Sequence, residues 1–321
     1  MYTYACYIPC SRQYMVLGHD FSLITSSNMS FDPYPWITGR RETKSPDLPP
    51  EAKQLYNSVK GDIMSVDKVP GNVFYKNMQP DTTALVLETI DEDPDIQGES
   101  ARINYNSRSL DFVVTFPTFF HGVQSAWLMS AFRKARSNGY FSQAEWDRLH
   151  ISHDQKFKYF HDQYVHSFKH PEFSVRPEGR PYPTIVVESA WADSYLYLRR
   201  ETELWLQGSR RKIGTVFLFK WTRLPQNQVK CRIEMFGPGD PSPVWVEVYP
   251  SPPPDAPKQV FFLDRREILA EAVSDGRNCW NDVVEFPIDC FRELADPVIQ
   301  AAGYIPAQSN ELPLRTTGSQ S

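Results

Sequence analysis

Glu188 closes the apolar run Ile185-Val186-Val187. A carboxylate at the end of a buried strand is costly unless a metal ion or a cationic partner offsets its charge. Glu172, next to Pro171, is a second acid on a neighbouring predicted strand, and Arg176, Arg180 and Arg200 are the cations expected to pair with the two acids. Arg199, Arg200, Arg210, Arg211 and Lys212 bracket a helical pattern and could contact the phosphates of a nucleic acid, although groups of this size usually just solvate a surface. Histidines gather between His121 and His170, with the pairs His153-Asp154 and His161-Asp162. A histidine-aspartate metal phosphohydrolase needs such pairs on packed helices with a further distant Asp, whereas this region alternates strand and turn signals.

Other chemistries have less support. There is no GxSxG nucleophile elbow, and GPGDPSP from Gly237 reads as a turn between strands, not a phosphate loop. Cys6, Cys10, Cys231, Cys279 and Cys290 are odd in number and form no CxxC pair, so they read as small buried thiols. With 321 residues the chain can bury a real core, and its formal charge of −5 provides no global attraction to nucleic acid. No apolar stretch approaches the roughly 20 residues of a membrane helix, and the opening MYTYACYIPCSRQYM lacks a secretory pattern. The expectation is an intracellular protein, cytoplasmic or nuclear, with no membrane partner.

The elements that must position these residues are legible in part. Residues 1–100 mix turn formers, prolines and acidic runs, and read as an irregular N-terminal extension with one short helix near Pro50 to Val59. A structured body is expected over 101–306. It opens with a hairpin, ARINYN and SLDFVVTFP. A helix follows, capped by Thr118, carrying Phe120, Val123, Trp127 and Ala131 at helical spacing and stopped by Asn138-Gly139; Ser142 to Glu145 is a capping box. A strand around His166 to Val175, the turn RPEGRPYP and the strand Thr184 to Glu188 come next. Asp193 or Ser194 then opens a helix with Leu198, Thr202 and Trp205 on one face, ending near Gly208. TVFLFKW, KCRIEMF, VWVEVYP and QVFFL are strands, Arg265 to Ser274 is a helix, and 307–321 is a disordered tail. Trp127, Trp205, Trp221 and Trp245 all fall on predicted apolar faces. The fold class is a mixed α/β core with one helix crossing over after the Glu188 strand.

Several features in order carry a resemblance: Pro171-Glu172, Arg176-Pro177, Gly179-Arg180, Tyr182-Pro183-Thr184, Val187-Glu188 and Trp205-Leu206, with FPTFFHGVQSAW upstream. Over about residues 103 to 295 the chain resembles the restriction-endonuclease-like, PD-(D/E)XK, superfamily, and within it a fungal group. The resemblance implies a mixed β-sheet flanked by helices, with two acids from adjacent strands converging at one sheet edge. It implies that Glu172 and Glu188 hold Mg²⁺ in an active member, where the ion lowers the pKa of a water attacking a phosphodiester. The family lysine would stand two residues beyond the second acid, and that position is Ala190; the first-helix acid position is Gly122; the alternative lysine position on the following helix is Glu201. Arg200 is the nearest replacement cation, although a planar guanidinium cannot reproduce a compact ammonium. The expectation is a catalytically degenerate member with a binding or accessory role, the alternative a divergent Mg²⁺-dependent nuclease using Glu172, Glu188 and Arg200.

Overall fold

The computed structural model describes residues 48–65, 71–116, 120–153, 155–191, 195–237, 242–272 and 282–308. All of them belong to one contact unit, Pro46–Ser321; the other, Met1–Ser45, lies outside the described residues.

The chain begins with α1 (Pro50–Met64), β1 (Gly71–Tyr75) and α2 (Pro80–Glu92). Proline near the first position suits a helix start, since the missing N–H would have had no partner there. In α1, Ala52, Leu55, Val59 and Ile63 are buried at helical spacing; in α2, Val86, Leu87 and Ile90 are. These stripes close over a three-stranded antiparallel sheet of order β1-β3-β2, built from β1 and the hairpin β2 (Arg102–Asn106) and β3 (Asp111–Phe116). The irregular extension expected for 1–100 is therefore corrected over 50–100. Its acidic run is ordered too: Asp93 is buried and paired to Lys60 of α1 at 2.8 Å. Apolar contacts at helical spacing outweighed the turn-forming composition.

Next come α3 (His121–Ser137), α4 (Gln143–Asp147) and β4 (Leu149–Ser152), then β5 (Phe173–Pro177), β6 (Ile185–Trp191), α5 (Tyr195–Gly208), β7 (Thr215–Leu224), β8 (Gln228–Phe236) and β9 (Val244–Tyr249). The chain continues through β10 (Val260–Asp264), α6 (Arg265–Leu269), β11 (Val283–Pro287), α7 (Ile288–Ala301) and β12 (Ile305–Pro306). Seven strands make one mixed sheet of order β12-β8-β7-β6-β5-β4, with β9 also on β8. β4, β5 and β6 pair antiparallel, and α5 carries the chain across so that β7 runs parallel to β6.

Successive strand residues point to opposite faces, and β6 shows the consequence. Ile185 and Val187 pack with Trp127 of α3 and Phe291 of α7, whereas Val186 packs with Leu204 and Trp205 of α5. The hairpin, the Ser142 capping box, the Asn138-Gly139 stop and the buried face of α5 are as expected. Thr118, Asp193 and Ser194 lie outside the described residues. Besides β1 and α2, the elements β4, β11, α7 and β12 were not expected. Pro297 interrupts the pattern of α7, but it stands on an exposed position, as does Glu293, the residue whose carbonyl it leaves without an intrahelical donor. Trp127, Trp205 and Trp221 are buried, but Trp245 is 54% exposed on β9, so its core assignment is corrected. Ala307, in the expected tail, is buried and bonded through its N–H to the Val229 carbonyl; 309–321 lie outside the described residues. Among the described residues no helix is long and apolar enough to cross a membrane.

Candidate functional site

Glu188 leaves β6 on the α5 side and is buried. The helical crossover turns Trp205 towards it, and the indole Nε1 donates to Glu188 Oε1 at 2.8 Å. The compensating cation is not an arginine. Lys169 Nζ stands 3.5 Å from Glu188 Oε1 and 2.8 Å from Glu201 Oε2, with the Tyr197 hydroxyl at 3.4 Å. The ammonium is thus ion-paired to both carboxylates and donates a hydrogen bond to the Tyr197 hydroxyl. Asn106 of β2 donates to the other Glu201 oxygen at 3.3 Å. Lys169, Glu188 and Glu201 are only 2%, 5% and 1% exposed.

Local backbone explains how a lysine comes to rest here. Lys169 pairs with Phe157 in an isolated antiparallel bridge, N–H to carbonyl at 2.9 Å and carbonyl to N–H at 2.8 Å. Phe168 bridges Tyr105 in the same way, and the His170 N–H donates to Asn104 Oδ1 at 2.8 Å. The strand expected around His166 to Val175 is thus two single bridges to other segments, followed by β5. These bridges turn Lys169 beneath α5.

Two carboxylates share one ammonium, and burial together with these charges sets the ionisation. Burial pushes Glu188 up to about 7; the Lys169 charge opposes this, and the charges of Glu172 and Glu201 add to it. Burial alone would lower Lys169, but the charges of Glu188 and Glu201 prevail and hold it well above the usual lysine range. The Tyr197 phenol is raised by burial and by Glu201.

The register of Phe173 against Val187 brings Glu172 next to Glu188, but the chain bends at Glu172. The Ser189 hydroxyl lies 2.9 Å from each Glu172 oxygen. Ser189 follows Glu188 and so projects from the other face of β6. The expected convergence is therefore split: Glu188 turns towards Trp205, Glu172 towards Ser189.

Arg200 is corrected outright. Its side chain is half exposed and contacts Asp111 of β3 at 3.3 Å, while Lys169 takes the place beside Glu188. Arg180 meets Glu271 and the Lys212 carbonyl, and Arg176 donates to the Arg180 carbonyl at 2.9 Å. The five-cation group is dispersed as well. Arg199 lies over the Phe236 ring at 4.7 Å and Arg210 pairs with Asp162 at 3.1 Å. Arg199 and Arg200 lie within α5, whereas Arg210, Arg211 and Lys212 follow its end at Gly208. His161-Asp162 opens a 3-10 turn, not a packed helix, and Asp154 lies outside the described residues.

Sequence reasoning missed Lys169 because it belongs to no local motif; only long-range bridges bring it to Glu188. Trp205 was legible as a buried helix residue, its hydrogen bond to Glu188 was not. Among the described residues no group of three or more His, Cys, Asp or Glu is arranged to hold a metal ion. No protein-family model matches the chain, and no curated protein is significantly similar to it.

Proposed function

We propose that this chain is a restriction-endonuclease-like protein whose hydrolytic centre has become a buried ion cluster, and that it acts by binding in an accessory role. The observation that carries the reading is Lys169, held 2.8 Å from Glu201 and 3.5 Å from Glu188 in a nearly solvent-free place. The kinship is supported by element order: a helix, antiparallel strands with Glu172 just before one and Glu188 within the next, then a tryptophan-bearing helix that crosses to a parallel strand. The donor set does not suit Mg²⁺. Glu188 Oε1 faces an indole N–H and an ammonium, and burial pushes its carboxyl up to about 7, against the charged form that a hard cation needs. Glu172 is engaged with Ser189, and a hard cation needs charged oxygens that converge.

One observation favours a second reading, a divergent nuclease: the cation beside Glu188 is a lysine, the residue type that such hydrolysis uses. It ranks lower because Lys169 is 2% exposed and enclosed by Glu188, Glu201 and Tyr197, whereas a scissile phosphate must reach the ammonium. The test incubates purified protein with single- and double-stranded DNA and RNA in Mg²⁺ or Mn²⁺, beside Glu188→Ala and Lys169→Ala. The expected outcome is no cutting above a buffer control. Cutting by the native chain that both variants lose would overturn the non-catalytic reading.

A further inference from the structure

A cleft of about 790 Å³ opens between α2 and the irregular strap from Lys158 to Phe168, and none of its lining residues belongs to the ion cluster. Its floor is apolar, with Leu87 and Phe168 buried and Ala84 continuing it along α2. The α2 wall carries Glu88, Asp91 and Glu92, neighbours across one helical turn. Lys156 offsets Asp91 at 3.0 Å; among the described residues Glu88 and Glu92 have no ion-pair partner. The facing wall adds one formal charge, Lys158, besides His161 and His166. The cleft is therefore apolar at its base and acidic along one side.

The strap holds an aromatic side chain out in water beside this cleft. Tyr159 is 83% exposed, and Val165, farther along, is 55% exposed. Tyr159 has φ 72 and Asp162 φ 56, a left-handed backbone that non-glycine residues rarely adopt unless their surroundings impose it. Here they do. The Tyr182 hydroxyl donates to the Tyr159 carbonyl, the His161 N–H donates to the Gly208 carbonyl at 2.8 Å, and Phe160 packs on Trp205 at 5.5 Å between ring centroids. A tyrosine on a pinned backbone loses little freedom when covered, which is why this residue type recurs as an anchor of protein interfaces.

We propose that the cleft docks a short basic segment of a partner protein. An apolar side chain of that segment seats on Leu87 and Phe168, its Lys or Arg residues face Glu88 and Glu92, and Tyr159 closes against it. The acidic wall disfavours polyanions, and the volume suits a few side chains. The inference goes beyond the accessory role proposed above and is independent of the Lys169 cluster, so either can fail alone.

The test selects a phage-displayed library of random 12-residue peptides on the full chain and measures enriched peptides by fluorescence anisotropy. The expected consensus places an apolar residue within a few positions of two or more Lys or Arg. Tyr159→Ala and the double variant Glu88→Lys, Glu92→Lys should each weaken binding at least tenfold, and Arg232→Ala on β8 should leave it unchanged. No enrichment over the blank support, an acidic consensus, or affinity unchanged in Tyr159→Ala would overturn the proposal. So would a dimer in sedimentation that the double variant disperses, since the occupant would then be a second copy. If circular dichroism shows the double variant unfolded, Tyr159→Ala decides alone, because an 83% exposed side chain can be removed without opening the core.

Discussion

Two acids and one base in a dry place make ionisation a matter of stability. Glu188 rises from an ordinary 4.5 to about 7, so the folded state binds a proton more readily than the unfolded chain. Stability from this group is fully present below pH 4.5 and is lost as pH rises towards 7, by about 3 kcal/mol in all. Glu188→Gln keeps an oxygen for the Trp205 indole and removes the titration. Relative to the native chain it should gain stability between pH 5 and pH 8, a trend read from urea midpoints. Removing the base has the opposite effect. Lys169→Met leaves Glu188 and Glu201 without their shared ammonium and should lose about 3–5 kcal/mol at pH 8, and less at pH 5, where Glu188 is protonated; equal losses at both pH values would argue against the shared cation.

At the scale of elements, α5 and α7 show what pattern reading reaches. Leu198, Thr202 and Trp205 recur at helical spacing and are buried as expected. α7 buries Ile288, Phe291, Ala295 and Ile299 by the same rule, yet Pro297 masks its second half. Since Pro297 is exposed, its ring meets water and not the core. Pro297→Ala restores a helix N–H and should stabilise the fold by about 1–2 kcal/mol, the helix gain being partly offset by a more flexible unfolded chain. Thermal melting by circular dichroism reads this directly. A fall in midpoint would mean that the proline ring is packed usefully where it stands.

For the whole molecule, the layer of α1, α2 and β1–β3 is a cover and not an arm. Asn106 reaches Glu201, Asn104 receives the His170 N–H, and Arg200 meets Asp111 across its boundary with the large sheet. A chain beginning at residue 101, where composition suggested that structure starts, would keep the hairpin but strip α1, β1 and α2 from it. Ile103, Tyr105, Phe112, Val114 and Phe116, all buried beneath that cover, would then face water. Such a chain should aggregate on expression, an exposed apolar surface of this kind being an association liability. A monodisperse, cooperatively folding product in size-exclusion and urea experiments would instead place the boundary where composition had it.

Local patterns alone determined the apolar strand that ends at Glu188, the amphipathic face of α5, the Ser142 capping box and the helix stop at Asn138-Gly139. Each depends on residues within a turn or two of one another, and backbone geometry translates such spacing directly into shape. Tertiary structure decided which cation meets Glu188. The local candidates were Arg176, Arg180 and Arg200, yet each found another partner, and Lys169 arrived through bridges to Phe157 and, by way of Phe168, to Tyr105. Charge compensation in a buried site is set by distance in space, and no periodicity in a chain encodes which remote segment will close that distance.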